Sequence, residues 1–402
     1  MNNPALCIDV SKHTSFANPF LHLNETLTQP FSFAHDLNGI SLALKALESI
    51  EFITHVKPDV VLEATGHYSM PLIESFYQAG YNIVVLNPLE TSLHKRKSIR
   101  KVKTDPRDTF RIAKVYYMNN YNYYHPVPKE ILELKHLSRQ WNSLNNTFVD
   151  FKLKFLSTLD LTLPNYKSIF FKPCCKSSLS ILEAYPTPSL LLAADYNHLF
   201  SLIKHSQKSD AWCHDKLSQL LFLAKESLTL QSAQQSLSFC IRSYIHLLNV
   251  FTQEMTDIRT LMIDLAKKLR AFDLLTSIPG VGEITAITIL SEIGDIHNFN
   301  SSKQLVAYAG IDPSVHQSGS YTARNSKISK RGTPYLRKAL YQATVAGISN
   351  RKTGPANMTL HKYYIVKKTQ GKPTKVAIIA TCNKLLRIIY AMLTNGELYV
   401  QQ

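Results

Sequence analysis

Long apolar runs are missing from this sequence of 402 residues. No stretch approaches the roughly 18 consecutive apolar residues that a membrane-spanning helix requires. The first residues, MNNPALCIDVSKH, reach an acidic side chain too early for a secretory signal peptide. We therefore expect a protein that stays in the cytoplasm.

Cysteine is scarce, and its spacing is uninformative. The six cysteines are scattered without a CxxC pair, which argues against both a disulfide framework and a zinc knuckle. Cys213 and His214 could be metal ligands, but with no second pair nearby a packing or surface role is favoured.

Acidic residues are outnumbered by basic ones. The 45 Lys and Arg residues against 29 Asp and Glu residues give a formal charge of +16. Such an excess indicates a polyanionic partner, most commonly nucleic acid, although a merely basic soluble protein would show the same total. The length and a hydrophobic content of 45% predict two or three folded domains.

The N-terminal region shows the pattern of an α/β domain. Short β-branched runs at 5–10, 59–65 and 82–88 predict strands, and the segments 39–51 and 69–79 predict helices that cover the sheet. Helix propensity resumes after Pro106, where a first-turn proline is tolerated. This places Asp105 and Asp108 at the start of a helix.

The rest of the chain is predicted to be mainly helical. Prolines at 164, 173, 186 and 188 predict short helices between about 130 and 228, a region to which we assign no chemistry. Apolar residues three or four apart predict one long helix over 229–272, packed either on a partner helix or on its own domain. The predicted divisions are 1–125, 126–228, 229–272 and 273–402.

Four acids are predicted to converge on one edge of the sheet. Asp9 and Glu63 end two strands, and Asp105 and Asp108 lie one helical turn apart. Clustered carboxylates repel one another unless a cation lies between them, and Mg²⁺ prefers oxygen ligands. The alternative is ordinary ion pairing, of Asp9 with Lys12 and of Asp108 with Arg111. Glu63 ends an apolar run, where an unpaired carboxylate is costly, which favours the metal site.

A dense set of cations follows the third predicted strand. It can neutralise several phosphates and bring a nucleic-acid strand to the metal, whereas the alternative is a solvated helix face. We favour phosphate binding. The set consists of His94, Lys95, Arg96, Lys97, Arg100, Lys101, Lys103, Arg107 and Arg111.

The segment SIPGVGEITAITILSEIG, residues 277–294, predicts a tight turn that opens a helix. Gly280 and Gly282 would allow close backbone approach, so that amide groups at the helix start bind a phosphate as in a helix-hairpin-helix. The same turn could equally serve packing alone.

A loop further on places a serine among cations. Ser318 precedes Gly319 and is followed by Arg324, Lys327, Lys330, Arg331 and Arg337. A serine in such a setting could attack phosphorus, because covalent catalysis divides one transfer into two steps. From chemistry alone, a hydrogen-bond donor to phosphate or a turn residue is the commoner role.

Several sequence words together resemble the DEDD transposases of the insertion-sequence 110 family. The order and spacing of the words match that family at both ends of the chain. The words are IDVSK (8–12), EATGHY (63–68), LNP (86–88), KTDPRD (103–108), IPGVGEITA (278–286), FNSSKQLVAYAGIDPSVHQSG (299–319) and SKRGTPYLRKAL (329–340).

The resemblance implies a RuvC-like, RNase H-type N-terminal domain whose acids Asp9, Glu63, Asp105 and Asp108 bind Mg²⁺. It also implies a C-terminal transposase domain with Ser318 as nucleophile, since among Ser318, Ser320, Ser326 and Ser329 only Ser318 matches the QSG motif. A covalent phosphoserine intermediate, donor and target DNA, a guiding bridge RNA from the element and a tetramer are implied as well. The long helix then becomes a candidate coiled coil for oligomerisation.

Two departures from the family pattern stand out. The middle, 150–228, is longer and less recognisable than the family pattern, so RNA contacts are not transferred to it, and Thr109 replaces a customary alanine. Two other functions fit the residues. One is a metal-dependent junction nuclease that uses water as nucleophile, and the other is a nucleic-acid-binding protein without catalysis.

Overall fold

The computed structural model describes residues 2–64, 66–88, 91, 105–204, 208–313, 317–318, 321–322 and 327–401. The chain forms two compact units, Met1–Pro126 and Val127–Gln402. The first unit is α/β, as the sequence predicts, and the second is mainly helical.

A six-stranded mixed sheet forms the centre of the first unit. The strands are β1 (Ala5–Val10), β2 (Thr14–His22), β3 (Glu25–Thr26), β4 (Phe31–Ala34), β5 (Asp59–Glu63) and β6 (Asn82–Leu86). The central strand β1 pairs in parallel with β5 and antiparallel with β2, and β5 pairs in parallel with β6. Both β3 and β4 pair with β2. The carboxyl ends of β1, β5 and β6 therefore share one edge.

Helices cover both faces of this sheet. Helices α1 (Leu37–Thr54) and α2 (Ser69–Gln78) pack on the face that contains Leu6 and Ile8, and α3 (Asp105–Met118) packs on the opposite face. The carboxylate of Asp36 accepts a hydrogen bond of 2.7 Å from the amide of Gly39, so α1 begins with a side-chain cap.

The antiparallel strands β2 to β4 are an addition to the predicted sheet. The interior of β2 contains Asn18 and Pro19, which break the alternating apolar pattern on which strand prediction depends. Asn18 is nevertheless buried, and the carbonyl of Pro19 accepts a hydrogen bond from the amide of Leu27.

The second unit contains helices of very different lengths and two short ribbons. The helices are α4 (Lys129–Thr162), α5 (Tyr166–Ile169), α6 (Lys176–Ala184), α7 (Pro188–Leu192), α8 (Tyr196–Lys204), α9 (Asp210–Glu226), α10 (Gln234–Ala266), α11 (Arg270–Thr276), α12 (Glu283–Ile293), α13 (Ser302–Ala309), α14 (Pro334–Ile348), α15 (Met358–Thr369) and α16 (Thr374–Asn395). The ribbons pair β7 (Gln317–Ser318) with β8 (Tyr321–Thr322), and β9 (Asn350–Arg351) with β10 (Gly354–Pro355).

Helices α4 and α10 form an antiparallel pair, which we call the stalk. The ring of Phe151 lies 5.5 Å from that of Phe251 and 6.1 Å from that of Tyr244. Near the far end, the amide of Leu230 donates to the carbonyl of Leu161. The long helix predicted over 229–272 thus packs along a helix of its own chain. It spans Gln234–Ala266, and α11 follows it as a separate helix.

The prediction of short helices from about 130 onward is wrong for the first part of that region. Residues 129–162 form one continuous helix of 34 residues, since the first of the four prolines comes only at position 164. Beyond Pro164 the helices are indeed short. Helices α5 to α9 and the adjoining ends of the stalk form what we call the tip. The tip has its own hydrophobic core, which includes Phe155, Leu217 and Ile245.

A second core forms at the base of the stalk. Helices α12, α14 and α16 surround residues such as Ile287, Leu340 and Leu386 there. By length and composition alone, helix α16 could cross a membrane, although it contains no unbroken apolar run of that length. Nearly half of its most apolar stretch is buried in this core. Such burial is the normal situation of a core helix.

Candidate functional site

Asp9 and Glu63 lie side by side where two parallel strands end. Ile8 is in register with Leu62, so the next residues of β1 and β5 are neighbours on strands about 4.8 Å apart. Side chains alternate along a strand, which puts Asp9 on the face of Cys7 and Glu63 on the face of Val61. Cys7 and Val61 both pack against α3, so the two acids belong to the face that α3 covers.

The direction of α3 brings its first turn toward the same strand ends. At its far end, the hydroxyl of Tyr116 donates to the carboxylate of Asp59, the first residue of β5, over 2.6 Å. From Asp59 to Glu63 the strand advances about 13 Å. From Tyr116 back to Asp108 the helix advances about 12 Å. The first turn of α3, with Asp108, therefore lies toward the carboxyl ends of the strands. We call the two acids at those ends, Asp9 and Glu63, the acidic edge.

Asp59 anchors α3 from the opposite edge of the sheet. Its buried carboxylate also accepts hydrogen bonds from the hydroxyl of Tyr123 at 3.3 Å and from the side-chain amide of Asn3 at 3.4 Å. Burial, and then the hydrogen bond to Asp59, raise the pKa of Tyr116, so its hydroxyl stays protonated and keeps donating. Sequence reasoning missed this acid because it begins a strand instead of ending one.

The structure gives less information on the other two acids of the predicted set, Asp105 and Asp108. Asp108 is buried and pairs with Arg111, which is the ion pair that the sequence offered as the alternative. The backbone of Asp105 begins α3, while its side chain lies outside the described residues. Within the part of the chain that the structure describes, no three acid, His or Cys side chains are close enough to hold a metal ion. The donors at the acidic edge are all carboxylate oxygens, which suit Mg²⁺.

Ser318 lies on a short β-ribbon. We call the described residues around it, 312–313, 317–318, 321–322 and 327–329, the serine hairpin. Ser318 pairs antiparallel with Tyr321, and Gln317 pairs with Thr322. Nearer the base, Pro313 and Ile328 form an isolated antiparallel bridge. The structure gives the backbone of Ser318, and its side chain lies outside the described residues.

A clasp closes the base of the serine hairpin. The hydroxyl of Ser329 donates to the carboxylate of Asp312 over 2.5 Å, and the amide of Ser329 donates to the carbonyl of Asp312 over 2.9 Å. Gly332 then passes so close to the carbonyl of Tyr308 that a Cβ there would lie 1.6 Å from its oxygen, so no larger residue fits. Ser329 was an alternative to Ser318 as the nucleophile, but its hydroxyl is used in this structural hydrogen bond.

We expect Asp312→Ala to loosen this clasp. A hydrogen bond to a charged group contributes about 1.5–3 kcal/mol, so trypsin should cleave after Arg324 or Lys327 roughly tenfold faster in the variant. Initial rates of limited proteolysis on the full chain give the measurement. Ser329→Ala should have a similar effect, and the double variant little more, because the two side chains act as one pair. Unchanged cleavage in both single variants would contradict the clasp.

The predicted phosphate-binding cations are only partly described. Arg107 is exposed on α3, and Lys327, Lys330 and Arg331 are exposed around the base of the serine hairpin. Arg337 instead donates to the carbonyls of Ala309 and Gly332, which is a packing role. The others lie outside the described residues: His94, Lys95, Arg96, Lys97, Arg100, Lys101, Lys103 and Arg324.

The two glycines of the turn before α12 differ in their surroundings. A Cβ on Gly280 would lie 2.6 Å from the backbone of Gly347 in α14, and its φ of 101° is unfavourable for other residues, so this glycine serves close packing. Gly282 faces open space. Both border a cavity of about 460 Å³ that Trp141 and Lys338 also line, two residues that sequence reasoning did not single out.

A buried carboxylate fixes the start of α14. Glu292, only 1% exposed, accepts hydrogen bonds from the guanidinium of Arg139 at 2.7 and 3.1 Å and from the hydroxyl of Thr333 at 2.7 Å. Burial raises the pKa of Glu292, but these bonds outweigh it and the net pKa is lowered. The carboxylate therefore stays ionised and holds Thr333, the residue that precedes α14.

An α/β domain with acids at the carboxyl ends of parallel strands, followed by a helical unit with exposed cations, is typical of the nucleic-acid-processing class of proteins. Family comparison is more specific. Residues 6–164 match a family model described as "Transposase", the DEDD type of the IS110 group. Residues 272–362 match a second model, "Transposase IS116/IS110/IS902 family". The chain belongs to the IS110 family of transposases.

Individual relatives agree with this assignment. The transposase for insertion sequence element IS1111A of Coxiella burnetii is 32% identical over 179 residues, 44% of this chain and 47% of that protein. The pilin gene-inverting protein of Moraxella bovis is 34% identical over 172 residues, 42% of this chain and 52% of that protein. The alignments thus span about half the length of these relatives. Neither family model covers residues 165–271, where most of the tip and α10 lie.

Proposed function

We propose that this protein is an insertion-sequence transposase that cuts and rejoins DNA in the cytoplasm. The observation that carries the proposal is the joint presence of the acidic edge and the QSG serine in the two segments that match the family models. Donor and target DNA are its substrates. The net charge of +16 supports a polyanionic substrate.

The carboxylates of Asp9, Glu63, Asp105 and Asp108 would hold Mg²⁺. The register of β1 and β5 supports this role for Asp9 and Glu63. The direction of α3 supports it for Asp108. A bound metal ion supplies activation of the attacking oxygen and neutralisation of charge on the phosphate. To join that set, Asp108 has to exchange its contact with Arg111, which would then be free to meet a phosphate oxygen.

Ser318 is the proposed nucleophile. Its hydroxyl oxygen forms a bond to phosphorus while the bond from phosphorus to one deoxyribose oxygen breaks, and the proton leaves the serine as another joins the departing oxygen. The strand remains attached to the protein as a phosphoserine until a second hydroxyl reverses the step. The position of Ser318 on a two-stranded ribbon supports this role, since a ribbon can present one residue to a large substrate.

Bridge RNA guidance and a tetramer complete the proposal. In such an assembly the RNA base-pairs with DNA and the protein reads mainly backbone and shape. The cations from Lys95 to Lys103 and Arg107, together with Arg324, Lys327, Lys330 and Arg331, would contact phosphates. Gly282 at the start of α12 would add a backbone contact, with Gly280 shaping the turn.

The guidance part is tested by purifying the full chain with the transcript that flanks its element and sequencing the RNA that stays bound. We expect one structured RNA to be strongly enriched over total RNA. An unrelated basic protein of similar charge is the control, because charge alone would retain RNA without selection. Recovery of unselected RNA would point to a transposase that reads DNA directly.

A further inference from the structure

A second cationic surface lies next to the serine hairpin, in a part of the chain that sequence reasoning left without a role. Lys367, Lys372, Lys384 and Arg387 border a groove of about 550 Å³, which we call the basic groove. Its floor includes Pro313 and Ile328, the pair that bridges the base of the hairpin. Of the residues that line the groove, all but Ile311, Pro313 and Ile328 lie after the end of the matched transposase segment at residue 362.

The cations reach the groove from separate elements. Lys367 comes from α15, Lys372 from the connection that follows it, and Lys384 and Arg387 from successive turns of α16. A solvated helix face would spread its lysines along one helix, with acids interspersed. Here the cations converge on a concave surface, and no acidic residue is among those that line it.

The partners of these cations are uncharged. The ammonium of Lys367 donates to the side-chain oxygen of Gln370 over 3.2 Å, and the guanidinium of Arg387 donates to that of Asn383 over 2.9 Å. The ion pairs found among the described residues include none of the four. Within the described part of the chain no carboxylate pairs with any of the four, so a polyanion would gain from binding there.

The position of the groove near Ser318 indicates which polyanion binds there. Pro313 stands five positions before Ser318, which is at most about 18 Å of extended chain. We propose that the basic groove binds the phosphodiester backbone of the DNA strand that is presented to Ser318. The identity of the strand rests on the proposed function, while the phosphate chemistry rests on the groove itself.

The test compares two double variants of equal charge, both made in a full-length Ser318→Ala background so that no covalent product disturbs binding. Lys384→Gln/Arg387→Gln removes two groove cations. Lys362→Gln/Lys375→Gln removes two exposed cations from the same pair of helices, outside the groove. Fluorescence anisotropy with a 30-base-pair DNA duplex, the matching single strand and an RNA of the same sequence gives affinity as a function of salt.

We expect the groove variant to bind DNA about tenfold more weakly and to lose about 2 from the slope of log affinity against log salt concentration. The matched variant should stay within about twofold, and circular dichroism should show both folded. Equal losses in the two variants, or a loss confined to RNA, would overturn the proposal. These measurements need no cleavage, so an inactive transposase would refute the proposed function without deciding the groove.

Discussion

Replacing Asp9 by Asn is expected to lower the rate of DNA strand cleavage by about a thousand-fold, or ~4 kcal/mol in the barrier. The amide keeps the shape of the side chain but gives up the negative charge that a divalent cation needs. Because Asp9 neighbours Glu63 in register, the loss of either should have a similar effect. Cleavage of a labelled DNA substrate in the presence of Mg²⁺ measures the rate.

Binding separates loss of chemistry from loss of structure. DNA affinity of the Asp9→Asn protein should stay within about twofold, since the cations that contact phosphates are untouched. Glu48→Gln, an exposed substitution on α1 in the same unit, is the matched control and should cleave normally. Full cleavage by Asp9→Asn and Glu63→Gln would remove the acidic edge from the mechanism.

The second large effect concerns Ser318. Ser318→Ala should eliminate the covalent protein–DNA species, because no other residue can form the same ester at that position of the hairpin. Denaturing gel electrophoresis after reaction with labelled DNA detects the species directly. Ser320→Ala and Ser326→Ala keep the hydroxyl at position 318 and should form it at the normal level.

The same variant distinguishes the alternative mechanisms. A nuclease that uses water would cut DNA equally well with alanine at position 318 and would never show an adduct, because water replaces the serine oxygen. A protein without catalysis would neither cut DNA nor form an adduct in any variant. An adduct that persists in Ser318→Ala would assign the nucleophile to another residue.

How much was predictable from the sequence depended on whether the interactions were local. The strands β1, β5 and β6 lie within the predicted runs 5–10, 59–65 and 82–88, because short β-branched segments between helices favour buried parallel strands. Since such strands share their carboxyl edge, the neighbouring positions of Asp9 and Glu63 were predictable as well. For Asp108 the sequence leaves two alternatives open, a metal site or an ion pair with Arg111, and the structure shows the ion pair.

Features that depend on distant partners were not predictable. The strand β2 is held in place by pairing with β1 and β4. Its residues Asn18 and Pro19 interrupt the alternating apolar pattern by which a strand is predicted from sequence. The clasp between Asp312 and Ser329 and the basic groove join residues that are far apart in sequence, and no local period marks them. The continuous helix α4 departs from the prediction because a proline interrupts a helix only near its own position, and the first of the four prolines stands at 164.

The stalk has a consequence for how members of such a family can diverge. The matched segment 6–164 includes α4, one helix of the stalk, and the matched segment 272–362 contributes to the base core. The tip has a separate hydrophobic core about Phe155 and Leu217. The base core does not include these tip residues, so insertions or replacements at the tip can accumulate without disturbing the packing around α12 and α14. The packing therefore allows the tip to vary as a module while the base core keeps its own residues.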